Sequence, residues 1–213
     1  MKLYGYFRSS AAYRVRIAMN LKGVAVEHAY VHLRKGEQTT ADYRKLNPQG
    51  LVPTLMDGEH ALTQSLAIIE YLDERYPNPP LLPEDSAGRA WVRSIAQSIA
   101  CDIHPLNNLR VLNYLRDELQ IDEAGRQRWY QHWIATGLAA VEVLLTARPR
   151  DSVYCYGASP TLADLCLVPQ VYNAERMSCP LDDYPTVRSI VEACRALPAF
   201  RDADPACQPD ADA

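Results

Sequence analysis

The pattern of apolar and polar positions predicts alternating strands and helices at the start of the chain. Residues 3–6 form a short apolar and aromatic run that predicts a strand. Apolar residues then recur with helical spacing at Ala11, Val15 and Ala18, which predicts a first helix. Residues 26–33 alternate between apolar and polar side chains, as in a strand with one buried face. The pattern therefore begins with strand, helix and strand.

The pattern continues in the same way to about residue 75. Residues 41–46 allow one short helix. Residues 51–56 predict a strand that runs into an Asp-Gly hairpin turn at 57–58, and residues 60–63 return as its partner. Residues 66–75 predict an amphipathic helix. The order β-α-β-α-β-β-α indicates a small α/β domain with both parallel and antiparallel strands.

A proline-rich stretch separates this domain from the rest of the chain. Four prolines fall within residues 76–83, which predicts a stiff linker. We place the linker at 77–84, between a first domain at 1–76 and a second domain at 85–213. The second domain is predicted to be all helical, with helices at 87–107, 108–119, 121–146, 161–177 and 186–196.

Details of the second domain carry further predictions. Pro105 is expected to bend or break its helix, because proline lacks an N–H group. Thr161 and Asp164 form a variant of the capping box, so Asp164 is interpreted as a folding cap rather than a catalytic acid. The polar tail from Ala203 is expected to be loose. In the longest helix, five side chains are expected to face the core: Trp129, Trp133, Leu138, Val141 and Leu145.

Composition and charge exclude several classes of function. The chain has 213 residues, 48% hydrophobic and 23% charged, as in an ordinary soluble globular protein. A net charge of -4 leaves no basic surface for nucleic acid, and no apolar run approaches the roughly 20 residues that span a bilayer. The N-terminus lacks the pattern of a signal peptide. We therefore expect a cytoplasmic protein with neither nucleic-acid nor membrane partners.

The cysteines and histidines show no metal-binding pattern. Six cysteines are scattered without a CxxC pair, which in a reducing compartment is typical of unpaired thiols. His28 and His32 are four residues apart, but they lie in a predicted strand rather than a helix. Neither an HExxH motif nor a suitably spaced carboxylate accompanies them. We therefore expect no metal site.

Two adjacent serines stand at the junction between the first predicted strand and the first helix. Ser9 or Ser10 occupies the position of a helix N-cap. Two hydroxyls, free backbone N–H groups and the neighbouring Arg8 can also hold an anion at this point. From this stretch alone, capping of a surface helix is the favoured interpretation.

Four local patterns then agree in order and spacing. They are the serine turn, Val52-Pro53 before a strand, Gln64-Ser65 at a helix start, and the Thr161/Asp164 cap. Together with an α/β domain followed by an all-α domain, they resemble the glutathione transferases. The stretches SSAAYRVRIA at 9–18, QSLAIIEYL at 64–72 and ADLCLVPQ at 163–170 resemble the zeta class of that family. The resemblance covers essentially the whole chain.

The resemblance implies a thioredoxin-like domain that binds glutathione, followed by an all-helical substrate domain. The zeta class includes glutathione-dependent maleylacetoacetate and maleylpyruvate isomerases, and the bacterial maleylpyruvate isomerases of aromatic-acid (gentisate) catabolism show the greatest likeness. The implied function is cis–trans isomerisation of maleylpyruvate to fumarylpyruvate, with glutathione as cofactor. Family members normally carry cysteine directly after the two serines, where this chain has Ala11. The glutathione sulfur is therefore the expected nucleophile.

The resemblance also implies how glutathione is held at its thiol. Ser9 is expected to donate a hydrogen bond to the sulfur. Ser10 and the first backbone N–H groups of the helix would add positive potential, which lowers the thiol pKa below its reference value of about 8.5. For both serines the alternative is a capping role alone.

The remaining parts of glutathione are assigned to other residues by the same resemblance. The backbone of Val52, held by a cis Pro53, is expected to pair with the cysteinyl part. Gln64 and Ser65 would bind the γ-glutamyl end at a helix N-terminus. For Asp102, a contact across a dimer interface competes with a solvated helix face. The further candidates for contact with glutathione are Ala11, Gln38, Asp102, His104, Asn108 and Arg110.

The implied substrate carries two carboxylates and an enolisable diketone, so it calls for fixed cations. Arginine suits this role because it grips carboxylates with two hydrogen bonds and stays charged. Arg8 and Arg176 are the candidates, with Arg110 as a third, and they would also stabilise the negative charge of an enolate. Arg14 and Arg16 are interpreted as structural or interface ion pairs.

Three alternative functions remain open. Maleylacetoacetate presents a similar enol-diketo acid and is an alternative substrate. A glutathione transferase or dehalogenase acting on small α-halo acids would consume glutathione instead of recycling it. A non-catalytic glutathione-binding module would keep the fold without the chemistry. A homodimer is implied by the family alone.

Overall fold

The chain divides into two compact units in the computed structural model, which describes residues 1–149 and 151–211. The first unit contains residues 1–81 together with the chain from Arg195 onward, and the second contains Leu82–Cys194. The predicted division assigned everything after the linker to the second domain. The structure differs because the chain returns to the first unit at its C-terminal end.

The first unit is built on a four-stranded mixed sheet. Its strands are β1 (Lys2–Gly5), β2 (Glu27–Tyr30), β3 (Thr54–Asp57) and β4 (His60–Thr63), in the order β2-β1-β3-β4. β1 runs parallel to β2 and antiparallel to β3, and β3 and β4 form the predicted hairpin. β2 is shorter than the predicted 26–33, because this edge strand pairs over four residues with β1 only.

Three helices complete the α/β part of the first unit. They are α1 (Ser10–Lys22), α2 (Ala41–Leu46) and α3 (Ser65–Arg75), with short 3-10 helices at Leu33–Lys35 and Glu37–Thr39. α1 ends at Gly23, whose φ of 63° lies in the left-handed region that glycine tolerates. The short helix predicted at 41–46 is confirmed residue for residue.

The C-terminal segment is packed and not loose as predicted. It contains α9 (Pro198–Arg201) and a 3-10 helix at Pro205–Cys207. Phe200 and Ala203 are buried, and Arg16 donates from Nε to the Ala203 carbonyl at 3.1 Å. The Phe7 N–H donates to the Asp210 carboxylate at 2.9 Å. The expectation from polarity failed because these polar groups bond to the serine-turn region instead of to solvent.

A buried ion pair holds the proline-rich stretch to the first unit. Lys22 is fully buried at its side chain and pairs with Asp73, and it also donates to the Pro79 carbonyl. Asp73 accepts a second hydrogen bond, from the Leu81 N–H at 2.9 Å. The stretch is therefore fixed by charge and hydrogen bonds in addition to its own stiffness.

The second unit is helical throughout its regular structure. Its helices are α4 (Ser86–Gln97), α5 (Leu109–Asp117), α6 (Glu123–Thr146), α7 (Leu162–Arg176) and α8 (Pro185–Arg195), the last of which reaches the boundary with the first unit. Instead of one bent helix at 87–107, α4 is followed by a π-helical turn at Ser98–Ile103 and a 3-10 helix at His104–Asn107. Pro105 in that 3-10 helix explains the break.

The buried stripe of α6 differs in part from the predicted one. Leu138, Val141 and Leu145 are fully buried as expected, but Tyr130 and Ile134 precede them in the stripe. Trp129 and Trp133 are half-buried and pack edge to face with ring centres 5.6 Å apart. The buried positions recur every three or four residues, so Trp129 and Trp133, each one residue before a buried position, lie at the side of the stripe.

The N-terminus of α7 is organised by a buried carboxylate, as the capping-box pattern predicts. Asp164 accepts from the backbone N–H groups of Thr161 at 2.7 Å and Cys155 at 2.8 Å. Burial raises the pKa of Asp164, and hydrogen bonds from Cys155 and Thr161 oppose that rise. This side chain therefore joins the loop before α7 to the helix.

Three structural findings bear on the classes of site. Within residues 1–149 and 151–211, no helix is long and apolar enough to cross a membrane. The same residues contain no group of three or more histidine, cysteine, aspartate or glutamate side chains placed to hold a metal ion. None of the six cysteines, all of which lie in the described residues, forms a disulfide.

Candidate active site

Ser9 caps α1 and keeps a hydroxyl proton to donate. Its backbone is extended, and its Oγ accepts a hydrogen bond from the Ala12 N–H at 3.2 Å. No described residue accepts a hydrogen bond from this hydroxyl. The capping role and a role toward a ligand are therefore compatible, because a hydroxyl both accepts and donates.

The N-terminus of α1 carries the partial positive charge of a helix end. The first turn of the helix contains no acidic side chain, so nothing there offsets the partial positive charge of its free N–H groups. Ser10 is the first helical residue and is buried. Ala11 follows it and is half-exposed. An anion such as a thiolate is stabilised at this position.

Arg8 presents a charged group beside the serine turn. Its Nη2 donates to the Tyr6 hydroxyl at 3.3 Å, and its guanidinium carbon lies 5.0 Å from the centre of the Phe7 ring. No carboxylate of the described residues pairs with it. The aromatic contacts orient the guanidinium while its remaining N–H groups stay available for an anion.

Arg16 fixes the strand-to-helix turn from behind. In addition to the Ala203 carbonyl, it donates to the carbonyl of Phe7 at 3.0 Å and to that of Tyr6 at 3.5 Å. These bonds tie the Arg16 side chain to the backbone of the turn. For Arg14, no carboxylate among the described residues of this chain forms an ion pair, and its hydrogen bond goes to Ser65.

An unpaired stretch of backbone precedes β3. The Val52-Pro53 peptide bond is cis. Neither the N–H nor the C=O group of Val52 hydrogen-bonds to a described residue, although the Val52 side chain is buried. Backbone groups near a core need partners, and an extended ligand peptide provides both a donor and an acceptor.

The N-terminus of α3 has an unusual backbone. Gln64 has a φ of 69°, which is strained for a residue other than glycine. Its side chain donates to Gln49 Oε1 at 2.8 Å and is exposed. Ser65, the first residue of α3, is buried and accepts from Arg14 Nη1 at 3.3 Å. Such strain is often found where a backbone is shaped to receive a ligand.

Gln38 has a buried amide oxygen without a partner. Its Oε1 makes no hydrogen bond to any residue in the described part of the chain. Gly50 lies against the backbone of Gln38 and has a φ of 61°. A Cβ atom at Gly50 would be 3.0 Å from the backbone carbonyl oxygen of Gln38. A side chain at Gly50 would therefore displace the turn that holds Gln38.

The second unit contains five of the predicted site residues. Asp102 is exposed on the π-helical turn, and His104 begins the following 3-10 helix. Asn108 caps α5, and its Oδ1 accepts from the Arg110 N–H at 3.1 Å. Arg110 itself is exposed in the first turn of that helix. Asn108 thus has a structural role as a helix cap, whatever else it binds.

Arg176 is the last residue of α7 and lies beside a buried tyrosine. Burial raises the pKa of Tyr130, and the positive charge of the nearby Arg176 opposes that rise. The side chain of Arg176 is otherwise exposed. The guanidinium of Arg176 therefore lies near Tyr130, and its N–H groups are available to an anionic ligand.

Comparison with known proteins decides the family. A model of the glutathione S-transferase N-terminal domain matches residues 3–80. The chain is 53% identical to a probable maleylacetoacetate isomerase of Vibrio cholerae, over 98% of this chain and 97% of that protein. It is 50% identical to a maleylpyruvate isomerase solved in its holo form, described as a bacterial zeta-class glutathione S-transferase, with a TM-score of 0.96 over 99% of each chain. The chain belongs to the zeta class of the glutathione transferases.

A third comparison bears on the ligands of this zeta-class protein. A maleylacetoacetate isomerase from Methylobacterium extorquens AM1, solved with malonate and glutathione bound, is 41% identical over all of both chains, with a TM-score of 0.96. The predicted fold class, a thioredoxin-like α/β domain followed by an all-α domain, is confirmed. The zeta-class protein is an isomerase, and glutathione is its cofactor.

The first unit of the zeta-class protein fits a peptide cofactor. Four of its hydrogen-bonding groups have no partner among the described residues. They are the Val52 backbone, the Gln38 amide oxygen, and the hydroxyl protons of Ser9 and Ser65. Arg14 lies on the predicted site residue Ser65 and Tyr130 lies near the predicted site residue Arg176, although neither was assigned to the site from the sequence. The only sequence signal for Arg14 was its position inside the zeta-class motif at 9–18, and Tyr130 had none.

Proposed function

We propose that the protein converts maleylpyruvate to fumarylpyruvate, using glutathione as a thiol that is recycled. The observation that carries the proposal is the serine turn, where the Ser9 hydroxyl proton has no acceptor among the described residues and the helix has no acidic residue in its first turn. The named activities of the relatives support it, because both maleylpyruvate and maleylacetoacetate isomerases align along essentially the whole chain. Maleylacetoacetate is the alternative substrate, favoured by the name of the Vibrio protein.

Glutathione, when bound, supplies a thiolate that adds to the alkene carbon, so that the former double bond rotates before the thiolate leaves. The protein's residues must keep that sulfur ionised near neutral pH. We assign the hydrogen bond to the sulfur to Ser9. Its Oγ already accepts from the Ala12 N–H, and no described residue accepts its proton, which can therefore be donated to a ligand. Ser10 and the N–H groups of α1 add positive potential. No cysteine follows these serines, since Ala11 stands there.

The rest of glutathione is assigned to the groups of the first unit that lack partners. We propose that the Val52 N–H and C=O pair with the cysteinyl part, next to the cis Pro53. Gln64 and Ser65 bind the γ-glutamyl carboxylate at the N-terminus of α3. The residues proposed for further contact with glutathione are Gln38, Asp102, His104, Asn108 and Arg110.

The substrate carboxylates are assigned to arginines. Arg8 is held on an aromatic ring and pairs with no described carboxylate, and Arg176 keeps exposed N–H groups beside Tyr130. Arg110 is the third candidate. We propose that these cations grip the two carboxylates and stabilise the enolate that forms when sulfur adds. The product is an isomer that carries the same two carboxylates, so these cations meet the same charge before and after the reaction.

Turnover of both maleyl compounds, with and without glutathione, tests the proposal. The diketone absorbance should change at a rate that requires glutathione, while the thiol concentration stays constant throughout many turnovers. Stoichiometric loss of thiol would identify a conjugating or dehalogenating transferase instead. Faster turnover of maleylacetoacetate, compared as kcat/KM, would replace the proposed substrate with the alternative one.

We also propose that the protein is a cytoplasmic homodimer. Family membership supports the dimer, and six cysteines without a disulfide, together with a glutathione cofactor, suit a reducing compartment. Sedimentation equilibrium should give about twice the 23.9 kDa chain mass. A species of single-chain mass at micromolar concentration would refute the dimer.

A further inference from the structure

A charged side chain lies in the interior of the first unit without a countercharge. Arg14 is 2% exposed and is among the largest fully buried side chains of the protein. Its Nη1 donates to Ser65 Oγ at 3.3 Å, but its Nε and Nη2 have no hydrogen-bond partner among the described residues. No carboxylate of residues 1–149 or 151–211 pairs with it. A buried guanidinium in this state is strongly unfavourable.

The hydrogen bond between Arg14 and Ser65 has only one possible direction. A guanidinium has N–H donors and no acceptor, so the Ser65 oxygen must accept. The proton of the Ser65 hydroxyl is then left to donate, and no described residue accepts it. A cation that bonds to the oxygen also polarises the O–H bond and makes it a stronger donor.

These two observations point to an anion at Ser65. The buried charge lacks a negative partner, and the hydroxyl that it orients stands at the N-terminus of α3, where the helix also favours negative charge. Gln64, whose backbone is strained, immediately precedes Ser65 at the same helix N-terminus. An anion that accepted the Ser65 proton would satisfy the hydroxyl and lower the cost of the buried cation.

We propose that Arg14 is a positioning residue for the γ-glutamyl carboxylate of glutathione, acting through Ser65. It orients the Ser65 hydroxyl outward and supplies the buried charge that a carboxylate at this helix end offsets. The inference rests on the proposed placement of the γ-glutamyl end at Ser65. It gives a role toward the ligand to a residue interpreted from the sequence as a structural or interface ion pair, and it explains why a buried cation is left without a carboxylate.

Binding of three peptides to Arg14→Met tests the proposal by calorimetry. Glutathione has both charged groups of the γ-glutamyl end, glutaryl-cysteinyl-glycine keeps only its carboxylate, and 4-aminobutyryl-cysteinyl-glycine keeps only its amino group. The substitution should weaken binding of the first two by about tenfold or more, as for loss of a hydrogen-bonded charge. It should change binding of the third by less than about twofold. Equal weakening of all three peptides would mean a merely structural role and would overturn the proposal.

Two further variants serve as controls. Arg34→Met removes an exposed arginine of the same unit and should leave all three affinities unchanged. Arg14→Lys keeps a positive charge, so it should still favour glutathione over the 4-aminobutyryl peptide. If Arg14→Met does not fold, this variant carries the test: a buried lysine loses its proton as pH rises whereas arginine does not. The preference for carboxylate should then fade with rising pH in Arg14→Lys and persist in the natural protein, and equal pH profiles would overturn the proposal.

Ser65→Ala separates failure of this inference from failure of the proposed function. If Ser65→Ala loses the preference for a carboxylate while Arg14→Met keeps it, the placement of glutathione stands and the role of Arg14 is wrong. If Ser65→Ala binds all three peptides as the natural protein does, the γ-glutamyl end lies elsewhere and both are wrong. Loss of the preference in both variants supports both.

Discussion

Ser9 Oγ lies 3.2 Å from the backbone nitrogen of Ala12 and accepts its hydrogen bond, so the residue that begins α1 also holds a hydroxyl proton free of described partners. One side chain thereby contributes to folding and is available for chemistry. The two contributions are separable, because stability depends on the oxygen as acceptor and the proposed activity depends on the proton.

Ser9→Ala should lose both contributions, to different extents. Loss of the cap should cost about 1 kcal/mol of unfolding free energy. Loss of the hydrogen bond to the thiolate should lower kcat at neutral pH by about ten- to a hundredfold. The pKa of the bound thiol should move toward about 8.5, visible in the pH–rate profile and in the ultraviolet absorbance of the thiolate.

Ser9→Thr is the matched control, because it keeps both the acceptor and the proton and should retain most of the activity. Ser10→Ala, measured in parallel, decides which of the two serines contacts the sulfur. A pH–rate profile of Ser9→Ala identical to that of the natural protein would remove Ser9 from the proposed mechanism.

Arg176→Ala should raise KM for the dianionic substrate by roughly ten- to a hundredfold, as expected for loss of a charge-assisted hydrogen bond. The affinity for glutathione, measured by calorimetry without substrate, should barely change. Tyr130→Phe removes the hydroxyl beside Arg176 but keeps the cation, so its effect on KM should be smaller. Equal losses of substrate and glutathione affinity in Arg176→Ala would contradict the assignment.

Lys22→Ala should destabilise the first unit strongly. The variant leaves Asp73 as a partly buried carboxylate without its ion-pair partner, and breaking a buried pair costs about 3–5 kcal/mol. Urea unfolding measures the difference. Lys45→Ala is the control, because its pair with Asp42 is exposed on both sides and should contribute at most about 1 kcal/mol. Similar losses in the two variants would show that burial of Lys22 is not what matters.

Asp164 predicts a pH dependence of stability with a defined sign. Burial raises its pKa in the folded state, so its contribution is fully present below the unfolded pKa of about 4 and decreases as pH rises through the folded value. The stability advantage of the natural protein over Asp164→Asn should therefore shrink as pH increases from about 4. Denaturant unfolding at a series of pH values measures this difference. An advantage that grows with pH would show that the hydrogen bonds from Thr161 and Cys155 dominate over burial.

Local signals predicted much of the secondary structure. The apolar spacing of the first helix, the Asp-Gly turn between β3 and β4, and the cap at Thr161 depend on residues within a few positions of each other, and all three are present in the structure. Predictions were wrong where a segment contacts residues that are distant in the sequence. The tail after Ala203 is polar in composition, yet it is fixed by Arg16, which lies 187 residues away in sequence.

The candidate site shows the same division. Ser9, Val52 and Ser65 were identified by resemblance, and each was found with an unmet hydrogen-bonding group in the described chain. The state of Arg14 could not be predicted, because an arginine in a helical motif is usually solvated. Its burial depends on the packing of α1 against α3, and its partner Ser65 is 51 residues away in sequence.

The sequence by itself determined the order of elements, the helix caps and the family, because periodicity, capping and motif spacing are properties of neighbouring residues. Only the tertiary structure decided which charges are buried and what they contact. It placed Arg14 on Ser65, Lys22 on Asp73 and the C-terminal segment on the serine turn. The physical reason is that burial and electrostatic pairing depend on distances through space, which local sequence spacing does not specify.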